Sequence, residues 1–229
     1  LLLYSGGLDT SVMLHWIQAN YGAEVYALCV NLGQPKEDFD VVIGKAFDLG
    51  AKACDVVDAR VEFAEDYVLP AIKANALYGG GYPLFTALGR PLIAKLAVEY
   101  ARKYNCDTIA HGCTGKGNDQ VRIEGTVATL APEIKTLAPV RNWQMGREEE
   151  IEYCRTHDIK LAGGTEAAPY SIDDNMWGRS SEGKSIEDLD SPPEDDVFQL
   201  VTPPERAPDK PREIELEFEQ GRPVALDGE

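Results

Sequence analysis

Two short stretches of the chain carry residue types whose spacing could do chemistry, and the first is SGGLDTS at residues 5–11. Its adjacent glycines permit positive φ and let the backbone approach a ligand closely. If a helix follows, the N–H groups of its first turn converge with those of the loop on one point that attracts an anion. The hydroxyl groups of Ser5, Thr10 and Ser11 would add donors. The pattern predicts a phosphate-binding turn.

The acid within this stretch needs a separate explanation. Asp9 would repel a bare phosphate, so we expect it to cap the helix or to help hold a Mg²⁺ ion. The stretch is not the G-x-x-x-x-G-K-[ST] loop that grips β and γ phosphates, because it is shorter and lacks the lysine. An ordinary strand–helix turn with an Asp or Thr cap is the alternative interpretation.

The second stretch is HGCTGKGNDQVRIE at residues 111–124, which holds three glycines, a lysine, an Asn-Asp pair and an arginine. It could form another anion-binding loop with Lys116 on phosphate. Asn118, Asp119 and Arg122 could supply donors and acceptors for the ammonium and carboxylate groups of an amino acid. A solvated loop followed by a capped helix is the alternative.

Alternating strands and helices up to about Ile159 must position both stretches. Apolar strands are predicted at LLLY, EVYALCV, KACDVV, CDTIAHG and EIKTLAP. RPLIAKLAVEYARKY is the clearest helix, since its apolar residues keep helical spacing, and EFAEDYVLPAIKANAL reads as another. Such strands indicate a parallel sheet covered on both faces, with ligands at the carboxyl ends of its strands. The predicted fold class is α/β, a doubly wound parallel sheet.

The pattern changes after Ile159. The segment from GGTEAAPY to SPPEDD shows little periodicity, and its acidic SIEDLDSPPEDD part is interpreted as a solvated connection rather than a metal site. EIELEFEQGRPVAL then alternates, with Ile214, Leu216 and Phe218 on one face, and predicts a hairpin. We expect a nucleotide-binding domain over residues 1–162 and the incomplete beginning of a second domain over residues 163–229.

Composition restricts the partners. The net charge of −17 argues against a nucleic acid as the main partner, because phosphate contacts need clustered Lys and Arg. Apolar runs stay well below the roughly 20 residues that cross a bilayer, and no signal peptide is apparent. The five cysteines form no C-x-x-C pair, which fits reduced thiols in a cytoplasmic protein. Cys113 is interpreted as a packing residue rather than a reactive thiol.

Both stretches resemble known motifs. SGGLDTS is similar to the SGG-x-[DS]-[TS]-S loop of the N-type ATP pyrophosphatases, which release pyrophosphate and transfer AMP. HGCTGKGNDQVRIE resembles the G-x-TGKGNDQVRFE motif of argininosuccinate synthetases, with Ile123 in place of Phe. NLGQ-x-x-x-DF, YPL-x-TAL-x-RPLIAK, YSID-x-N-x-WG-x-S and FE-x-G-x-PVAL follow in the order of that family. The chain is identified as a member of it, which implies a Rossmann-like fold of the adenine nucleotide alpha hydrolase type followed by an α+β synthetase domain.

The resemblance implies an ATP-dependent, AMP-forming ligase of arginine biosynthesis that joins citrulline to aspartate, binds ATP with Mg²⁺, and assembles as a tetramer. It implies no nucleic-acid or membrane partner and no set of metal-ligating side chains. Carried over position by position, ATP would contact Tyr4, Ser5, Gly6, Gly7, Leu8, Asp9, Thr10, Ser11, Val30 and Gly112; aspartate would contact Thr114, Asn118 and Asp119; citrulline would contact Tyr82, Asn118, Arg122, Ser171 and Ser180.

The implied chemistry uses no protein nucleophile. The ureido oxygen of citrulline attacks the α-phosphorus of ATP, and aspartate then displaces AMP from citrullyl-AMP. Catalytic roles are expected for Lys116 on the phosphates and for Asp119, which would hold the aspartate ammonium and later receive its proton. His111 is predicted to be a hydrogen-bonded packing residue. Where part of the family has a serine, Ala87 follows Thr86, which puts one citrulline contact in doubt.

Two other functions are alternatives. A tRNA-thiolating member of the same fold would need a basic surface and paired cysteines, which the chain lacks. A non-catalytic module that binds ATP without turnover is the second. Citrulline-dependent release of pyrophosphate distinguishes an enzyme from such a module.

Overall fold

A five-stranded parallel sheet forms the centre of the protein. The structure is a computed structural model that describes residues 1–35, 38–115, 117–143, 145–160, 170–198 and 200–229. The strands of the sheet are β1 (Leu2–Leu3), β2 (Tyr26–Asn31), β3 (Ala53–Asp58), β4 (Thr108–Ala110) and β5 (Lys135–Leu137). Their order is β3-β2-β1-β4-β5, and every pair is parallel. The predicted α/β class with a doubly wound parallel sheet is therefore confirmed.

Helices cover both faces of this sheet and bury one apolar cluster on each. Ile109 of β4 packs in the first cluster with Leu92 and Ile123, and Leu2 of β1 packs in the second with Val12. The helices are α1 (Leu8–Tyr21), α2 (Phe39–Asp48), α3 (Arg60–Phe63), α4 (Leu69–Lys73), α5 (Gly89–Lys103), α6 (Asp119–Leu130), α7 (Pro139–Asn142) and α8 (Arg147–Thr156).

The helix predicted over EFAEDYVLPAIKANAL differs from the observed one. Helical structure begins earlier, at Arg60, and ends earlier, at Lys73, with a π-helical turn at Ala64–Val68 between α3 and α4. Pro70 has no N–H to donate, and its ring crowds the preceding turn. The N–H of Leu69 reaches back to the carbonyl of Ala64, five residues earlier, which widens the turn just before the proline.

The segment after residue 170 contains an antiparallel hairpin that the sequence analysis did not predict. Its strands are β6 (Ser171–Asn175) and β7 (Gly178–Glu182), with Asp173 paired with Ser180. Both strands are mostly polar, so they carry no apolar alternation that would mark them as strands. The low periodicity of this part of the chain therefore does not mean that it lacks regular structure.

The hairpin predicted near the end of the chain is confirmed as β8 (Leu216–Glu219) paired with β9 (Arg222–Leu226). Ile214 lies before β8, so the predicted strand is too long at its start. Leu216 and Phe218 share one face of the strand, and about half of each is exposed. The predicted domain boundary at residues 162 and 163 lies outside the described residues and stays a prediction.

The order of the sheet fixes where a ligand can bind. β1 lies between β2 and β4, so the chain runs to one side after β1 and returns on the other side in β4. The loops that leave the carboxyl ends of β1 and β4 therefore diverge and leave a crevice between them. These loops contain SGGLDTS and HGCTGKGNDQVRIE, the two stretches that the sequence singled out.

Candidate active site

A cavity of about 640 Å³ opens at the carboxyl ends of β1 and β4, which is a size typical of small-molecule sites. The hairpin β6–β7 forms one of its walls. Most residues predicted to bind ATP, aspartate or citrulline line this one cavity: Tyr4, Ser5, Asp9, Thr10, Val30, Tyr82, Gly112, Thr114, Asn118, Asp119, Arg122, Ser171 and Ser180.

Four predicted residues have a different placement. Gly6, Gly7, Leu8 and Ser11 do not line the cavity, and the side chains of Leu8 and Ser11 are buried in the core. Such residues can reach a ligand only through their backbone. Lys116 lies outside the described residues, so its predicted role stays a prediction.

The glycine turn has the backbone that a phosphate loop requires. Gly6 has a φ of 73°, in the left-handed region, and a Cβ there would come within 3.1 Å of Val42. Gly7 is the N-terminal cap residue of α1, and no side chain caps that end of the helix. The first-turn N–H groups therefore point toward the loop without a side-chain acceptor, which favours an anion there.

A lysine supports the turn from behind. The ammonium Nζ of Lys45, on α2, donates to the carbonyl oxygen of Gly6 at 2.5 Å. Burial lowers the pKa of Lys45. Its bond to a carbonyl, rather than to a carboxylate, fixes the orientation of the peptide between Gly6 and Gly7. Sequence reasoning missed this residue, because a lysine on an amphipathic helix reads as a solvent-facing one.

Asp9 does not cap α1, which excludes one of its two predicted roles. Its carboxyl group lies against that of Glu150, a residue of the first turn of α8 that is only 5% exposed. Burial, followed by the charge of Asp9 and a hydrogen bond to it, raises the pKa of Glu150 to about 8. The two carboxyl groups therefore share a proton at neutral pH.

Asp119 is the first residue of α6 and lies between two arginines. One carboxylate oxygen accepts a hydrogen bond from Nε of Arg90 at 2.8 Å, and the other accepts from Nη1 of Arg122 at 2.6 Å. Burial alone would raise the pKa of Asp119, but Arg90 and Arg122 together hold the pKa of this carboxyl below its usual value. Asp119 is thus an ionised, fixed carboxylate at the cavity wall.

Arg90 is the main residue that sequence reasoning missed. Its guanidinium also donates to the carboxylate of Asp173 on β6, and its side chain is 20% exposed. The sequence contains one indication of its role: Arg90 lies in the first turn of α5, where the helix dipole disfavours a cation. A cation at such a position is expected to have carboxylate partners.

The turn of the β6–β7 hairpin anchors the hairpin on the first half of the chain. Indole Nε1 of Trp177 donates to the carbonyl oxygen of Pro83 at 2.8 Å, and the side-chain amide of Asn175 donates to that of Phe85 at 2.9 Å. A Cβ at Gly178 would come within 2.3 Å of the Phe85 ring. These contacts hold the hairpin serines at the wall of the cavity.

His111 and Cys113 follow β4 and also line the cavity. His111 is 1% exposed and its Nε2 lies 3.2 Å from an oxygen of Glu124, which confirms the predicted hydrogen-bonded packing position. Burial lowers the pKa of His111, so the ring is neutral at pH 7. Burial raises the pKa of the Cys113 thiol to about 11, which supports packing over reactivity.

The unusual Ala87 does not face the ligand space. It is buried, whereas the neighbouring Thr86 lines the cavity together with Tyr82. The cavity wall near Tyr82 therefore has a hydroxyl group, contributed by the threonine itself.

Two absences concern the described part of the chain only. Within it, no group of three or more His, Cys, Asp or Glu side chains is arranged to hold a metal ion. None of its helices is both long enough and apolar enough to cross a membrane.

The fold and cavity define an α/β protein of the class that binds ligands at the topological switch point of a parallel sheet. A family model described as "Arginosuccinate synthase N-terminal HUP domain" matches residues 1–160, and one described as "Arginosuccinate synthase C-terminal domain" matches residues 170–229. The chain therefore belongs to the argininosuccinate synthase family.

Individual relatives agree with the family models. Argininosuccinate synthase of Rubrobacter xylanophilus is 58% identical over 100% of this chain and 55% of its own length. The enzymes so named from Chlorobium limicola and Symbiobacterium thermophilum are 53% and 51% identical, each over 100% of this chain and 57% of their own length. The chain thus spans a little more than half the length of these relatives.

Proposed function

We propose that the protein containing this chain ligates citrulline and aspartate with ATP, through citrullyl-AMP, and releases AMP and pyrophosphate. The relatives are named for this activity. The observation that carries the proposal is convergence: residues on either side of the two glycines, the second loop and the hairpin serines come from distant parts of the chain and line one cavity. We further propose a cytoplasmic homotetramer.

The nucleotide would bind with its phosphates at the glycine turn. The uncapped N-terminus of α1 and the hydroxyl groups of Ser5 and Thr10 offer donors there. Val30 and Gly112 line the cavity beyond the turn, where the nucleoside would lie. This placement leaves the α-phosphorus facing the hairpin, where Ser171 and Ser180 would bind citrulline.

The paired carboxyl groups of Asp9 and Glu150 fit the Mg²⁺ ion that accompanies ATP. Two carboxyl groups in contact supply hard oxygen ligands, and a cation can take the place of the proton that they share. When bound, the ion would neutralise charge on the departing pyrophosphate.

The reaction balances in two displacements. The ureido oxygen of citrulline forms a bond to the α-phosphorus while the bond to the β-phosphate oxygen breaks, and pyrophosphate leaves. The amine of aspartate then attacks the activated carbon, and AMP leaves with the oxygen that came from citrulline. Because the proposed mechanism uses no protein nucleophile, positioning must lower the barrier, and positioning can contribute about 7–11 kcal/mol.

Asp119 would bind the ammonium of aspartate. Its low pKa keeps it ionised, and a carboxylate that already accepts bonds from Arg90 and Arg122 retains lone pairs for a third donor. The same two guanidinium groups lower the pKa of Asp119, which argues against its second expected role as the acceptor of the proton. Thr114 and Asn118, which line the cavity beside Asp119, would contact the carboxylates of aspartate.

The test is a set of omissions with the full-length protein. Mg-ATP, citrulline and aspartate are supplied together and then with each left out, and AMP, pyrophosphate and argininosuccinate are measured. We expect pyrophosphate to require citrulline and argininosuccinate to require all three substrates. Binding of ATP without citrulline-dependent pyrophosphate would instead indicate a non-catalytic nucleotide-binding module, and release of ADP would contradict the mechanism.

A further inference from the structure

Arg90 joins two parts of the cavity wall that are far apart in the sequence. Its Nε donates to Asp119 at 2.8 Å, at the end of the second loop, and its terminal nitrogen donates to Asp173 on β6. Asp173 pairs with Ser180 across the hairpin. One guanidinium therefore contacts both the loop predicted to bind aspartate and the hairpin predicted to bind citrulline.

The charges explain why a guanidinium is needed at this place. Burial raises the pKa of Asp173 even with Arg90 beside it, and the charge of Asp119 adds to this effect. Without the cation, two carboxylates would face each other in a half-buried wall and push the loop and the hairpin apart. The planar guanidinium group has donors on two sides and can hydrogen-bond both carboxylates at once, which an ammonium group does less well.

We propose that Arg90 is a positioning residue that couples the aspartate and citrulline subsites by holding Asp119 and Asp173 in one arrangement. The assignment of the subsites rests on the proposed function, whereas the link between loop and hairpin does not. Arg90 acts through its two partners. Its described hydrogen bonds go to Asp119 and Asp173 and not to the glycine turn, so we expect its loss to affect the nucleotide subsite least.

The first test is kinetic and uses Arg90→Gln in the full-length protein. We expect the KM values of aspartate and citrulline to rise about tenfold or more, since a bond between charged groups is lost in each subsite. The affinity for ATP alone should change by less than about threefold. Arg102→Gln is the matched control, because Arg102 lies at the other end of α5 in an exposed pair with Glu133.

A pH profile separates positioning from a general structural role. The described charged and titratable groups facing Asp119 are Arg90 from α5, Arg122 from its own helix, Asp173 from β6 and Cys113 from the loop. Removing Arg90 should move the acid limb of kcat/KM for aspartate to higher pH by about one unit. In Arg90→Lys, the acid limb of kcat/KM for aspartate should lie near its wild-type pH, while the KM of aspartate stays raised.

Hydrogen–deuterium exchange tests the link independently of turnover. In Arg90→Gln, amides of β6–β7 and of residues 112–115 should exchange faster, while those of β2 keep their protection. Asp173→Asn, which keeps Arg90 and Asp119 together, should loosen the hairpin and raise the KM of citrulline without moving the acid limb for aspartate.

The outcomes are separable. If wild-type protein releases no citrulline-dependent pyrophosphate, the proposed function fails, and exchange still decides whether Arg90 links loop and hairpin. If Arg90→Gln leaves both KM values and the hairpin amides unchanged, or if β2 loses protection equally in both Arg90→Gln and Asp173→Asn, the proposal is overturned.

Discussion

Glu150, in the first turn of α8, shares a hydrogen bond with Asp9, in the first turn of α1, although 140 residues separate them in sequence. Two acids in contact would repel each other if both were ionised, so the folded state retains a proton that the unfolded chain would release. The pair lies directly beside the turn that we propose for phosphate binding. It makes the stability of the folded state depend on pH.

Glu150→Gln should change how stability depends on pH. The pKa of Glu150 is raised to about 8, so its stabilising contribution is complete below the unfolded pKa and is lost as pH rises through the folded pKa. Between pH 5 and 8, wild-type protein should lose about 3 kcal/mol relative to the glutamine variant. Urea unfolding of the full-length protein without nucleotide or divalent cation measures this difference.

Glu152→Gln is the control for that experiment, because Glu152 lies on the same helix and its side chain is 69% exposed. Its pH dependence should match that of wild-type protein. Parallel curves for wild type and Glu150→Gln would mean that the proton is not shared.

Lys45→Met should weaken ATP binding selectively. The variant removes the donor that fixes the carbonyl of Gly6 and leaves that peptide free to rotate. A bond to a charged donor contributes about 1.5–3 kcal/mol, so the Kd of ATP should rise at least tenfold. Calorimetric titration with ATP measures it. An unchanged Kd would show that the turn holds its conformation without Lys45.

Gly6→Ala should combine strain with loss of ATP binding. A non-glycine residue at a φ of 73° costs about 1–2 kcal/mol, and the new Cβ would contact Val42. Gly22→Ala is the matched control: Gly22 has a φ of 60° at the far end of α1, and a Cβ there meets nothing within 4 Å. Both variants should lose thermal stability, but only Gly6→Ala should lose ATP affinity. Equal ATP affinities would contradict the placement of the phosphates.

Thr86→Val should raise the KM of citrulline about three- to tenfold, the effect of one neutral hydrogen bond. Thr86 lines the cavity and Ala87 is buried, so Ala87→Ser should change that KM little. Steady-state kinetics at saturating ATP and aspartate compares the two. A lower KM in Ala87→Ser with no effect of Thr86→Val would place the citrulline contact at position 87 instead.

Local patterns predicted the sheet and most helices because burial imposes periodicity on them. The helix over RPLIAKLAVEYARKY has one apolar stripe and packs as α5, and the apolar strands form the parallel sheet. The hairpin β6–β7 could not be predicted in this way, because a strand that faces a polar cavity has no apolar alternation. To predict the π-helical turn before Pro70, one would have to know how the flanking helices pack.

The same distinction between local patterns and tertiary contacts applies to the site residues. The glycines, hydroxyl groups and the Asn-Asp pair were recognisable because their types and spacing are local. The partners of these residues were not, because Glu150 is one of three acids in the first turn of its helix and nothing near Lys45 in the sequence marks it as a site residue. Only the fold brings Asp9 to Glu150 and Arg90 to Asp119 and Asp173.

The most direct test of the central claim follows one oxygen atom. Full-length protein is incubated with Mg-ATP, aspartate and citrulline labelled with ¹⁸O in the ureido group, and the AMP is analysed by mass spectrometry. If citrulline attacks the α-phosphorus, the AMP carries one ¹⁸O atom. Unlabelled AMP, with argininosuccinate still formed, would show that the ureido oxygen never bonds to phosphorus and would contradict the account.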